Sequence, residues 1–198
     1  MVMPRPRRNL EMLEPFLVST GLVAIAEIGD KTQLLALLLA ARFRKPAPIL
    51  AGILAATIAN HLLAAWVGAA AGAFLQGPWM RWVLGLSFLA FAAWALIPDK
   101  FEEDEHPKER AGSIFLTTLV AFFFVEMGDK TQVATVALAA RFHQVFAVAA
   151  GTTVGMMLAN APAVFISQAA AGKLPLKLIR ALAAASFAAI GLWILIVG

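Results

Sequence analysis

Glu27, Gly29, Asp30, Lys31, Thr32 and Gln33 stand in one short run, and Glu126, Gly128, Asp129, Lys130, Thr131 and Gln132 repeat it 99 positions later. In each run the two carboxylates are three residues apart, which puts them on one face of a helix. Thr and Gln add neutral oxygen donors. The glycines remove bulk beside the acids and permit a kink or an unwound turn, freeing backbone carbonyls as further oxygens. The residue types therefore describe an oxygen cage for a cation. Neither run contains His or Cys, which favours Ca2+, Mn2+ or Mg2+ over Zn2+ or Cu+. Mg2+ sheds its water reluctantly and fits a dehydrated site less well; between Mn2+ and Ca2+ these residues do not choose.

Charge counting turns the cage into a mechanism. Glu27, Asp30, Glu126 and Asp129 against Lys31 and Lys130 leave a net charge of −2. One divalent cation neutralises that, and so do two protons. Alternation between these loadings is the minimum needed to exchange a metal for protons. The lysines would pair with the carboxylates and limit over-binding, so that the ion can leave. A single copy of the run could equally be an ion-pair lock between two helices; a duplicated one is better explained by a shared site.

The elements that must hold these groups are apolar. Of 198 residues, 61% are hydrophobic and 14% charged, and the mean hydropathy is +0.82. So small a soluble domain would need a more polar surface. Cysteine is absent, which excludes disulfides, thiolate metal sites and thiol catalysis. The net charge of +4 forms no basic stripe, so no nucleic acid is expected. Arg5, Arg7 and Arg8 before an apolar run resemble the start of a secretory signal. That run, however, carries Glu27, Asp30 and Lys31, and its near-copy lies far downstream.

Hydropathy and turn punctuation predict an all-α polytopic membrane protein with six spans, at 15–41, 48–73, 79–98, 113–140, 145–171 and 177–197. Both acidic runs then fall near mid-membrane, where ionisable side chains cost about 2.5–3.5 kcal/mol each even on lenient scales and mark function by default. A repeat organises the chain. The offset of 99 also pairs Ala40–Phe43 with Ala139–Phe142, Ser87-Phe88 with Ser186-Phe187 and Trp94 with Trp193; at 100 it pairs Asn60 with Asn160. The expected organisation is a three-helix unit at 1–98, a charged loop at 99–112 and a second unit at 113–198, with the first helix of each unit broken at its motif. Because three is odd, the second unit enters from the opposite side, giving an inverted repeat as in many secondary transporters. Loops one, three and five carry nine Lys or Arg against five on the other side. This places the central loop in the cytoplasm and both termini outside.

The paired Glu-x-Gly-Asp-Lys-Thr runs resemble the E-x-G-D-K-[ST] signatures of a membrane family that includes the Golgi manganese/calcium transporter of eukaryotes, chloroplast relatives and bacterial manganese exporters. The resemblance covers the six spans, the duplication and the charged loop. It implies cation transport by proton exchange, with Glu27, Asp30, Glu126 and Asp129 essential and Lys31, Thr32, Lys130 and Thr131 in support. The compact length resembles the bacterial members, implying manganese export across the inner membrane. The metal is then cargo and no cofactor is permanently bound. The implied partners are the ion, protons and the bilayer, with a homo-oligomer left open.

Asn60 and Asn160 are expected to complete the cage or to hydrogen-bond a broken helix. His61 follows Asn60, but its counterpart is Ala161, so a capping or interface role is expected for it. His143 is expected at a membrane surface, Glu102–His106 as a solvated linker, the tryptophans as interfacial anchors, and the Ala-Ala-Ala-Gly runs at 69–72 and 169–172 as close-packing surfaces. The competing reading is a carrier for a small cationic or zwitterionic organic solute, which would need a wide, aromatic-lined pocket. No Ser-His, His-Glu-x-x-His or Gly-rich phosphate motif supports an enzyme.

Overall fold

A computed structural model describes residues 7–74, 77, 79–97, 113–166 and 176–197. The central loop 99–112 with its acidic run, the second Ala-Ala-Ala-Gly run and Lys173 lie outside the described residues.

The described residues form eight α-helices and no strand: α1 (Arg7–Glu27), α2 (Lys31–Phe43), α3 (Pro46–Phe74), α4 (Met80–Ala95), α5 (Ile114–Glu126), α6 (Lys130–Phe142), α7 (Val145–Ile166) and α8 (Leu176–Val197). The breaks fall at the motifs, where the sequence placed them. Gly29 and Gly128 adopt φ of 81° and 78°, a left-handed conformation that costs other residues about 1–2 kcal/mol. The next residues, Asp30 and Asp129, are extended N-caps that restart α2 and α6. The duplication recurs in the backbone. Arg44 and His143, also 99 apart, end α2 and α6 in the αL conformation with φ of 52° and 54°.

Among the described residues, three helices are long and apolar enough to cross a bilayer: Pro46–Ala73, Val145–Ile166 and Arg180–Val197. A fourth span results if Met12–Glu27 and Lys31–Phe43, bent by 68° at the break, are taken together. The span expected at 79–98 is helical only over Met80–Ala95, because Leu96 and Ile97 leave the helix in a closing turn. The spans expected at 15–41 and 113–140 are each broken at the motif, as expected, and run on to Phe43 and Phe142.

The two sequence halves interlock instead of standing side by side. α1 packs on α7, α3 on α5, α6 and α7, and α4 on α8. Small residues allow the close approaches: a Cβ on Gly68 would stand 2.1 Å from the Val136 carbonyl oxygen. Phe88 of α4 and Phe187 of α8, matched by the repeat, meet at 6.3 Å between ring centroids, and Phe91 packs edge-on against both. Polarity is inverted relative to a soluble protein. Leu17, Trp66, Phe124, Phe146, Phe165 and Ile196 face outward, whereas Glu27, Asp30, Asn60, His61, Glu126 and Asp129 are buried. That distribution suits a hydrocarbon solvent outside and a polar path inside.

Candidate metal centre

The polar groups gather at the two breaks, between α1 and α2 and between α5 and α6. Glu27 and Glu126 are the last residues of α1 and α5, beside helix C-termini whose carbonyls favour cations; Asp30 and Asp129 sit at the N-termini of α2 and α6, which favour anions. Both breaks are closed in the same way. Asp30 N–H donates to the Glu27 carbonyl and Asp129 N–H to that of Glu126, each at 3.1 Å. Gln33 Oε1 accepts the Gly29 N–H at 2.8 Å, and Gln132 Oε1 accepts the Gly128 N–H at 2.6 Å. The two glutamines thus give their side-chain oxygens to the unwound turns, and Gln33 Nε2 also ties its turn to the Ala159 carbonyl of α7 at 3.0 Å.

Carboxylates from both halves converge. One oxygen each from Glu27, Asp30 and Asp129 lie within 4.8 Å of one another, and all three residues are buried. Glu126 adjoins this group through Thr131, whose Oγ1 lies 2.7 Å from Glu126 Oε1 and 3.3 Å from Asp129 Oδ2. Lys31 Nζ stands 3.7 Å from Asp129 Oδ1, across the halves. Lys130 Nζ reaches the Ile97 carbonyl at 3.4 Å. A cavity of about 20 Å³ lies beside Asp30 and Lys130, walled by Ala26, Ala95 and Phe187, with room for about one water-sized group.

The matched asparagines diverge. Asn160 Nδ2 lies 3.4 Å from Glu27 Oε1 and donates at 3.1 Å to the Met156 carbonyl. Asn60 Nδ2 donates at 3.0 Å to the Phe123 carbonyl in the last turn of α5, where the Met127 N–H turns to Phe124 instead. One asparagine therefore touches a carboxylate and the other holds a broken helix.

His61 lies in the middle of α3 and caps no helix end; it stands at the interface where α3 packs on α5. It is fully buried, with Nε2 3.5 Å from Glu126 Oε1. The unmatched Ala161 argued against a ligand that obeys the repeat; a one-sided contact leaves no such mark in the sequence. His143 is exposed at the end of α6.

Several buried polar atoms here have no hydrogen-bond partner among the described residues: Glu27 Oε2, Thr32 Oγ1, Asn60 Oδ1, His61 Nδ1, Glu126 Oε2 and Asn160 Oδ1. Buried polar atoms are normally satisfied. Glu27 Oε2, Glu126 Oε2 and Asn160 Oδ1 are thus unmet acceptors on the carboxylates themselves and on the amide that touches one of them.

A family model described as divalent cation/proton antiporter GDT1 matches residues 15–103 and 114–198. The chain belongs to that family. GDT1 proteins are antiporters, not an enzyme class. Among relatives of this GDT1 chain, a Vibrio cholerae protein provisionally named a manganese exporter is 50% identical over 171 residues, covering 86% of this chain and 84% of the relative. GDT1-like protein 5 of Arabidopsis thaliana is 30% identical, covering 65% of this chain and 72% of its own length. A GDT1-like protein of Synechocystis is 27% identical over 92% of this chain and 98% of its own. No solved structure matches this GDT1 chain.

Proposed function

We propose that this GDT1 protein exports Mn2+ in exchange for protons, with Ca2+ as a second substrate, through a site formed by Glu27, Asp30, Glu126 and Asp129. The observation that carries the reading is the approach of Glu27, Asp30 and Asp129, from both halves of the chain, to within 4.8 Å at two helix breaks. Lys31, Thr32, Lys130, Thr131 and Asn160 support those carboxylates, while Asn60, Gly29, Gly128, Gln33 and Gln132 hold the broken helices and their turns. The relative's provisional name favours manganese.

In this reading the units 1–98 and 113–198 form a six-span inverted repeat joined by a cytoplasmic loop at 99–112, with both termini outside, in a bacterial inner membrane. Alternating access moves one unit against the other around the shared site. The site exposes a charge of −2 to each side in turn and leaves loaded with either one divalent ion or two protons. The organic-solute carrier is disfavoured because the cavity at the motifs, beside Asp30 and Lys130, is about 20 Å³, while a roomier one of about 420 Å³ is lined by Arg81, Arg141 and His143 and by no carboxylate that could bind an amine.

The test is Mn2+ and Ca2+ flux in proteoliposomes under an imposed pH gradient, with Asp30→Asn and Asp129→Asn as comparisons. Gradient-driven flux lost in both variants supports the proposal. Metal flux indifferent to the gradient keeps the site and removes the proton exchange. Absence of flux from folded protein rejects the metal.

A further inference from the structure

His61 breaks the symmetry of the site. Position 161, its counterpart on α7, is Ala. The imidazole is buried in the middle of α3, where a group that could hydrogen-bond in water is costly to place without a partner. Its neighbour is Glu126, and the distance is informative. A hydrogen bond between an imidazole and a carboxylate closes to about 2.7–2.9 Å when nothing prevents it. His61 Nε2 and Glu126 Oε1 stand 3.5 Å apart. Two donors on adjacent corners of one coordination shell stand about 2.8–3.7 Å apart for metal–ligand distances of about 2.0–2.6 Å, so this pair has the spacing of shared ligands without singling out one ion.

The second oxygen of Glu126 is also uncommitted: Oε2 is buried without a hydrogen-bond partner among the described residues. Glu126 is in turn joined to the carboxylate group through Thr131 and Asp129. An ion held by Glu126 is therefore within reach of one nitrogen donor, and that donor comes from one half of the chain only.

We propose that His61 is the nitrogen ligand of the transport site and the residue that makes it prefer a first-row transition metal to Ca2+ or Mg2+. This rests on the reading of the carboxylates as the transport site. Ca2+ and Mg2+ are hard ions that take oxygen, so replacing one oxygen by imidazole weakens the site for them. Transition metals accept imidazole, increasingly so from Mn2+ through Fe2+ to later members of the series. The acidic motifs alone leave Mn2+ and Ca2+ undistinguished; His61 supplies the missing discrimination. The same donor predicts that Fe2+ and Co2+ compete with Mn2+ more effectively than Ca2+ does.

The experiment is pulsed electron paramagnetic resonance on purified wild-type protein loaded with Mn2+, with Mn2+ and Ca2+ flux measured in parallel for wild type, His61→Gln and His143→Gln. Imidazole nitrogen coupling is expected in wild type and His143→Gln and absent from His61→Gln. The ratio of Mn2+ to Ca2+ flux is expected to fall by about tenfold in His61→Gln, the order of one lost nitrogen ligand. A histidine that only positions Glu126 would lower both fluxes together and give no nitrogen coupling. Bound Mn2+ without that coupling in wild type overturns the proposal by itself, even if His61→Gln fails to fold. Wild-type protein that binds no Mn2+ overturns this proposal together with the reading of the carboxylates.

Discussion

Lys31 and Asp129 lie 98 positions apart in the chain, yet Lys31 Nζ stands 3.7 Å from Asp129 Oδ1. The ammonium of one motif thus opposes the carboxylate of the other, and the pair joins the two helix breaks. The lysine is 19% exposed on its side chain and the aspartate 3%. The pair is therefore only weakly screened by water and strong enough to compete with a cation for Asp129.

Removal of that competitor has a definite sign. Lys31→Met is expected to lower the apparent KM for Mn2+ by about five- to tenfold and to lower maximal flux by a similar factor, since the ion binds more tightly and leaves more slowly. Concentration-dependent flux in proteoliposomes measures both. A raised KM would mean that the ammonium holds Asp129 in place for the metal.

Thr131 joins two carboxylates through one hydroxyl, 2.7 Å from Glu126 and 3.3 Å from Asp129. Thr131→Val keeps the shape and removes the donor. A hydrogen bond to a charged group contributes about 1.5–3 kcal/mol, so transport is expected to drop by about ten- to a hundredfold. Thr131→Ser should retain most activity; equal losses in both variants would point to the methyl group's packing instead.

Gly128 has open space where a Cβ would stand, but a φ of 78°. Its substitution therefore tests the backbone alone. Gly128→Val is expected to destabilise by about 1–2 kcal/mol or more and Gly128→Asn by less, because Asn tolerates the left-handed region. Thermal unfolding in detergent reads the order. Identical losses would exclude the backbone conformation as the cause.

Gly68 is the opposite case, crowded rather than strained. Its Cβ would lie 2.1 Å from the Val136 carbonyl, whereas a Cβ on Gly21 would meet nothing within 4 Å. Gly68→Ala must push α3 from α6 and is expected to cost about 1–3 kcal/mol; Gly21→Ala should cost nothing or stabilise slightly. Paired melting curves decide between them.

The sequence by itself determined the chemistry and the local geometry. Glycine followed by aspartate after an apolar run placed both helix breaks correctly, because a positive φ and an N-cap are demands of the neighbouring residues alone. The repeat offset likewise anticipated matched backbone features, down to Arg44 and His143 in the same αL conformation. Hydropathy anticipated the apolar exterior. It did not fix the ends of α4, where a closing turn stops the helix before the apolar residues run out.

Only the tertiary structure decided which side chains meet. Periodicity tells which residues share a helix face, but the partner across that face depends on how helices from distant parts of the chain cross. Asn60 and Asn160 occupy matched positions, yet one holds the Phe123 carbonyl and the other approaches Glu27. Gln33 and Gln132 look like spare ligands until their oxygens are found on the glycine N–H groups of their own turns. His61, which the repeat argued against, faces Glu126 from 65 residues away. Duplication of the motifs specified two similar halves; α3 packs on α5 as α7 packs on α1, and the side chains that meet across these two contacts are what differ.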